Sequence, residues 1–422
     1  MRFSHWFGSS ARSHDSRKAA SAAMVERLEA RQLLSAAGHD VLYVGDGTDN
    51  SIKRFDAHTG AALSDLVAPN GGRLDGPRGM ILMNPDNLLV LNQNVTSATL
   101  PGEILDYNTD TGALVRAVVP ATDPNAPGAP FGMVLKGHVL YVANQATLPI
   151  AVPQGAIDRY DVDTGKFLGS LFPTGFSGQW NPTGIVVGPD GKLYISAIDS
   201  TDPNRGYVMR MDPDTGAWKI IAQNKDDGMA TPGEIADMHH VGGLAFSPGG
   251  DLYVADHGPV GENKIFGFNV HNDTLINEIS MDAPSGPAEF TAGVVFGPGG
   301  KLFAPIYGSG PDTGAVREYD ISNDTYTNFV PPGGTGTAGP AGAGWLLTFG
   351  KSDPATLAYN PHGDDGSHDD RWRDDDSDAN ADQGDDSDSS DGDRARGPDA
   401  DNSPGDIVTA VLQPAHGHVF AQ

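Results

Sequence analysis

The sequence predicts an all-β chain: a six-bladed β-propeller of four-stranded antiparallel blades, closed by its N- and C-terminal strands and flanked by disordered extensions. Three observations predict it. The turn glycines Gly60, Gly112, Gly165 and Gly216 recur at spacings of 52, 53 and 51 residues, which suits a four-stranded blade with its loops. Gly and Pro, 55 and 31 of 422 residues, fit many short strands joined by tight turns, and no long amphipathic helical pattern competes with them. The first copy of the repeat lacks its opening strand, while Trp345-Leu346-Leu347-Thr348-Phe349 stands as an orphan one near the end. Pairing the two closes a ring and removes the exposed sheet edges that invite aggregation.

Within each copy, strand one opens through Pro77-Arg78-Gly79, Pro130-Phe131-Gly132, Pro182-Thr183-Gly184, Val241-Gly242-Gly243 or Thr291-Ala292-Gly293. Near-continuous apolar runs follow, as in Ile185-Val186-Val187, which suits strands buried on both faces beside a central channel. Turns such as Pro189-Asp190-Gly191 and Pro248-Gly249-Gly250 lead on, proline presetting φ and glycine accepting its positive value. Strand two is apolar and β-branched, as in Leu42-Tyr43-Val44, Leu140-Tyr141-Val142 and Leu252-Tyr253-Val254. Strand three follows Asn50, Gly102, Gly155, Gly206, Asn263 or Gly314; only Gly and Asn occur at that place, which predicts a left-handed backbone there. It ends in hairpins from Asp56 to Gly60, Asn108 to Gly112, Asp161 to Gly165 and Asp212 to Gly216, and the copies at Asp273-Thr274 and Asp324-Thr325 dispense with the glycine. Leu357-Ala358-Tyr359-Asn360 reads as a surplus second strand, which leaves seven blades as the alternative.

The propeller is expected over residues 38–362. Residues 1–37 are basic and Ser/Ala-rich without the apolar run of a standard signal peptide. Within them Leu28-Glu29-Ala30-Arg31-Gln32-Leu33-Leu34-Ser35 resembles the LEPR-XLL type segment of large bacterial surface proteins, with Ala30 in place of its proline; the resemblance implies export to the cell surface. The competing reading is a short amphipathic helix over Met24 to Leu34. Residues 363–404 form an acidic linker: between Asp364 and Asp401 there are 16 Asp and 4 Arg, a charge of −12, with almost no apolar surface to offset the entropy of ordering. Asp376, Asp378, Asn380 and Asp382 alternate as calcium-loop ligands do, yet glycine falls one place late at Gly384 and no Glu closes the loop, so a solvated spacer is expected. Residues 405–422 form a short C-terminal segment without a motif.

The repeats, over about residues 39 to 360, resemble the NHL-repeat propellers and their gluconolactonase-type and virginiamycin B lyase-type six-bladed relatives. The resemblance implies a fold far more than a task. In gluconolactonase-type relatives, Asn or Asp just before strand-one glycines joins an early Glu in an oxygen cage for a divalent cation such as calcium or magnesium. The matching positions here are Arg78, Phe131, Thr183, Gly242 and Ala292, and none offers a carboxylate or carboxamide. No residue of the lyase motif can be matched.

Composition narrows the function further. A net charge of −28 repels nucleic acid and anionic lipid, the absence of Cys removes thiolate chemistry, and no apolar run is long enough to cross a membrane as a helix. G-x-S-x-G, phosphate-loop and H-E-x-x-H motifs are all absent. Candidate site residues remain. His240 and His257, with His239, Asp256 and Glu262, gather in the fifth copy, and a histidine pair beside carboxylates can bind a metal or move protons; His240, His257 and Glu262 are the candidate metal ligands. Asp46, Asn92, Asn144 and Asp256 recur at the end of strand two, where a polar ring and simple turn capping compete as readings. Trp180 is a candidate apolar anchor at a rim or a core residue, and insertions such as 121–130, 147–154 and 224–239 are expected to project at blade ends, where binding residues concentrate. The leading expectation is a monomeric, non-catalytic surface propeller that binds a protein, polysaccharide or small ligand through one face. The alternative is a metal-dependent hydrolase or lyase with its site over the channel.

Overall fold

The computed structural model describes residues 40–360 apart from 98, 146–154, 177–179, 200, 224–236, 259–261, 283–287 and 336–343. The surface segment, the acidic linker, the C-terminal segment and the insertion at 147–154 lie outside the described residues, as does most of that at 224–239. The described chain is almost wholly β and forms a ring of six blades. Blade I opens with β1 (Val41–Asp46) and β2 (Ser51–Asp56). Blade II is β3 (Pro77–Asn84), β4 (Asn87–Asn92), β5 (Glu103–Asn108) and β6 (Leu114–Val119). Blade III is β7 (Pro130–Lys136), β8 (Val139–Asn144), β9 (Ala156–Asp161) and β10 (Phe167–Leu171). Blade IV is β11 (Trp180–Val187), β12 (Leu193–Asp199), β13 (Asp202–Met211) and β14 (Trp218–Gln223). Blade V is β15 (His240–Phe246), β16 (Leu252–His257), β17 (Lys264–Asn269) and β18 (Thr274–Ser280).

Blade VI is broken at its inner edge. The short β19 (Glu289–Phe290) and β20 (Val295–Phe296) face β22 (Tyr307–Gly308) and β21 (Leu302–Pro305), with β23 (Val316–Asp320) and β24 (Thr325–Val330) outside them. The last strand, β25 (Gly344–Phe349), returns to blade I and pairs antiparallel with β1, Leu42 lying opposite Phe349 and Val44 opposite Leu347. Closure therefore joins the ends of the repeat array as the orphan strand predicts. Blade I completes its outer edge with only two bridges, Ile52 to Val67 and Phe55 to Ala62. No helix among the described residues is long and apolar enough to cross a membrane.

Six inner strands converge on the channel, and the strand-one glycines are there because their backbones nearly touch. A Cβ on Gly132 would meet Gly184 Cα at 3.1 Å, and one on Gly184 would meet Gly242 O and Gly243 Cα at 2.9 Å. The sixth place in this circle is Leu346, whose Cδ2 would lie 2.3 Å from a Cβ on Gly293. Below the circle, Met80, Met133, Ile185, Leu244, Val294 and Leu347 line a narrow apolar cavity that ends at Leu357. Leu357 belongs to a plug. Ser352 bridges Tyr359, and between them the carbonyls of Pro354, Ala355 and Thr356 accept hydrogen bonds from the backbone N–H groups of Leu135, Val187 and Phe246 at 3.0, 2.8 and 3.3 Å. The surplus-strand reading of Leu357 to Asn360 is thereby corrected: the segment seals one end of the channel and no seventh blade exists among the described residues.

Two kinds of glycine also separate. Asn50 and Gly314, with φ of 55° and 80°, are left-handed as expected, but Asn263 is not, and neither are the glycines Gly102, Gly155 and Gly206. Each of these three sits against the next blade instead; a Cβ on Gly102 would be 2.4 Å from Pro130 Cδ, on Gly155 2.4 Å from Pro182 Cδ, and on Gly206 2.6 Å from His239 O. Close approach, rather than backbone handedness, selects glycine there. Three hairpin glycines, Gly60, Gly112 and Gly165, combine both demands, Gly165 having φ of 72° and a Cβ position 1.9 Å from Val118 O of blade II, whereas Gly216 has the positive φ alone. Asp273 and Asp324 take the left-handed place in the last two copies, at φ of 54° and 55°.

Candidate functional site

Because the plug joins the late residues of strand one, the early residues open at the other mouth of the channel. There the sequence-predicted residues divide. The carboxamides and carboxylates that end strand two are used inside their own blades. Asn92 Oδ1 accepts from the Asp75 N–H at 2.6 Å and its Nδ2 donates to Glu103; Asn144 Oδ1 accepts from the Ala129 N–H at 2.8 Å and its Nδ2 donates to Asp158 at 2.7 Å. Asp46 Oδ1 accepts from the Thr48 N–H at 2.8 Å while Oδ2 pairs with Lys53 at 3.1 Å. Asp256, buried, accepts from the His239 N–H at 2.9 Å. These side chains clip loops to strands. Trp180 is buried in the core with Tyr207, Val241 and their neighbours.

His240 and His257 lie directly opposite one another on β15 and β16, their rings 5.9 Å apart. The His257 ring also stacks on Phe290 at 4.1 Å. Burial lowers the pKa of both, that of His257 to about 4, so at neutral pH they are uncharged rings. Glu262 reaches neither of them within ion-pair distance. The carboxylates gather instead around His239, whose Nε2 is 3.8 Å from Asp237 Oδ1 and 3.9 Å from Glu262 Oε2, while its Nδ1 is 3.4 Å from Asp256 Oδ2. The Asp256 carboxylate raises the His239 pKa, against the opposing effect of burial. His239 lies just before β15 and His240 opens it, and the two side chains enter different surroundings.

Trp345, Tyr307 and Phe290, which sequence reasoning passes over as site residues, complete the mouth around His240 and His257. From Phe131 the rings run in contact to Trp345 (centroids 6.4 Å), Tyr307 (5.1 Å, stacked), Phe290 (4.4 Å), His257 and His240. All six are half-buried. Phe131 and Trp345 occupy the place before the glycine circle in their blades, and Phe290 and Tyr307 are cross-strand partners in blade VI. Arg78 holds the same place in blade II. Its guanidinium lies over the Trp345 ring at 4.4 Å and 6.0 Å from the Phe131 ring, close enough for cation–π attraction.

Arg78 is only 9% exposed, its Nε has no hydrogen-bond partner, and its Nη1 donates to the carbonyl of Pro77 at 3.2 Å. No carboxylate among the described residues pairs with it. Burial pushes its pKa down to about 10. The same burial raises that of the neighbouring Tyr307, keeping its hydroxyl protonated. The sequence did carry a signal: Arg78 is the one charged residue at the opening of any strand one, where every other copy is neutral.

No family model matches the chain, and no curated protein does. Among solved structures, the chain is similar to a protein of unknown function from Bacteroides caccae (13% identity, TM-score 0.43, covering 63% of this chain and 82% of that one). It is also similar to a Bacteroides uniformis protein designated a candidate 6-phosphogluconolactonase (19%, TM-score 0.40, 68% and 81%). A third similarity is to the extracellular domain of a candidate one-component system from B. thetaiotaomicron (12%, TM-score 0.41, 69% of this chain and 33% of that one).

Proposed function

We propose that this chain is a non-catalytic binding propeller, exported to the bacterial cell surface, that holds a small ligand in the unplugged mouth of its channel. The observation that carries the reading is the continuous arc of half-buried rings from Phe131 to His240. Aromatic walls on a rigid scaffold, with a few placed polar groups, are the ordinary make-up of a small-ligand site. The narrow cavity beneath is apolar and sealed by Leu357, so a ligand would sit on the mouth and not thread the ring. Export is supported by the N-terminal segment and is tested by cell fractionation; intact protein confined to the cytoplasm would refute it.

The mouth is tested by saturation-transfer difference NMR with a mixture of monosaccharides, amino acids and aromatic carboxylic acids. Signal transfer to one class, lost in Trp345→Ala and Phe290→Ala, is the expected result. No transfer, or transfer indifferent to both substitutions, would refute a ligand site at this mouth.

The grouping of Asp237, His239 and Glu262, with ligand atoms within 4.8 Å of one another, favours a second reading as a metal-dependent hydrolase or lyase. In it those three side chains would hold a divalent cation and Asp256 would orient the imidazole. An imidazole ligand suits zinc or manganese better than the calcium or magnesium of an all-oxygen cage. Such an ion would supply Lewis acidity toward a bound carbonyl. Metal analysis decides it: one ion per chain in the wild type and none in His239→Ala supports the reading, and a metal-free protein after equilibration with zinc and manganese removes it.

A further inference from the structure

We infer that the mouth selects a small monocarboxylate, with Arg78 as its counter-ion. The inference deepens the binding reading and rests on it. A guanidinium this buried loses much of its hydration, and proteins normally recover that loss with a carboxylate and a full set of hydrogen bonds. The other buried arginine follows the rule: Arg317 pairs with Glu289 and Asp312, and the largely buried Lys53 likewise pairs with Asp46 and Asp49. Arg78 alone of the two arginines buried in the described chain lacks a carboxylate, in a protein with 55 acidic residues and a net charge of −28. Scarcity of carboxylates cannot account for that, whereas a ligand that brings its own can.

The surroundings say which anion. Trp345 covers one face of the guanidinium and Nε is enclosed without a partner, so an arriving carboxylate would meet the guanidinium at its Nη end. Tyr307, stacked on Trp345 and held protonated, adds a neutral O–H to the same mouth. With one cation here and a strongly negative chain around it, a single negative charge is matched and a doubly charged anion is penalised. The rings of Phe131, Trp345 and Tyr307 then face the ligand's body, which makes a planar or apolar one the best fit.

The test uses benzoate, its neutral isostere benzamide, and inorganic phosphate as probes, in calorimetric titrations of wild type and Arg78→Gln. Wild type should bind benzoate saturably, with benzamide and phosphate at least tenfold weaker. Arg78→Gln should lose at least tenfold in benzoate affinity and leave benzamide unchanged, while melting no earlier than wild type. Arg78→Lys, which keeps the charge but not the fork, should fall between them. Equal binding of benzoate and benzamide, or unchanged benzoate affinity in Arg78→Gln, would overturn the counter-ion while leaving an aromatic mouth standing. Phosphate bound as tightly as benzoate would overturn the monocarboxylate. Failure to bind any of the three would overturn the inference, and the NMR mixture would then show whether the mouth falls with it.

Discussion

Two arginines are buried among the described residues of this ring, and the fold treats them oppositely. Arg317 in blade VI is wholly enclosed: its Nη2 pairs with Glu289 and with Asp312 at 2.7 Å, its Nη1 donates to Met281 O at 2.7 Å, and Tyr326 stacks on it at 4.1 Å. Every contact comes from the propeller. Arg78 at the channel mouth has aromatic neighbours and a single carbonyl, with no carboxylate. The difference teaches that burial and compensation are separate properties. At Arg317 they coincide and the side chain belongs to the fold; at Arg78 they part, and the proposed ligand supplies the missing partner.

Arg317→Met leaves Glu289 buried without its cation, and a loss of about 3–5 kcal/mol is expected in urea unfolding. A loss under about 1 kcal/mol would mean that compensation inside the blade has little worth, and the contrast with Arg78 would lose its meaning. On the neutral side of the mouth, His257 tests whether stacking on Phe290 excludes charge. The unfolded chain takes up its proton near pH 6.5, the folded chain only near 4. Its burial therefore stabilises the fold fully above 6.5, and that contribution is lost as pH falls toward 4. His257→Phe should flatten the stability difference across this window by about 2–3 kcal/mol, measured as unfolding free energy against pH. An unchanged slope would show that His257 is charged in the mouth beside His240, His239 and Asp282.

Backbone positions offer the same contrast between a partner supplied by the ring and open space. Gly165 and Gly216 share a positive φ of 72° and 70°, but only Gly165 abuts a neighbouring blade, at Val118 O. Gly165→Ala should cost more than about 2 kcal/mol, and Gly216→Ala only about 1, the strain of the backbone alone. Equal losses would place the cost in φ and deny that the blades are wedged together at these hairpins.

Much of this architecture could be read from the chain because its evidence is periodic. Spacing of the hairpin glycines, the missing first strand and the spare Trp345 to Phe349 strand all concern order along the sequence, and order is what a ring imposes. Readings that depended on a single residue fared less well. The left-handed expectation fails at Gly102, Gly155 and Gly206 because glycine serves two physical needs, and sequence does not distinguish a positive φ from a Pro ring 2.4 Å away. Leu357-Ala358-Tyr359 has the pattern of a strand but caps a channel, since apolar side chains are required in both places. At the site, sequence points to the histidine cluster of the fifth blade, yet the carboxylates meet His239, just before the strand, and the rings meet His240 and His257 within it. In sequence, Arg78 stands at a place where related propellers carry a metal ligand and offers none. Its meaning required the geometry of blades I, III and VI, which bring Trp345, Phe131 and Tyr307 together across some 270 residues of sequence.

The most direct test of this account compares Arg78→Met with Arg317→Met in parallel urea unfolding, without added ligand. Arg78→Met should stay within about 1 kcal/mol of wild type or exceed it, because an uncompensated buried charge is removed, while Arg317→Met falls well below. A loss in Arg78→Met as large as that in Arg317→Met would contradict the account, because it would make Arg78 part of the scaffold.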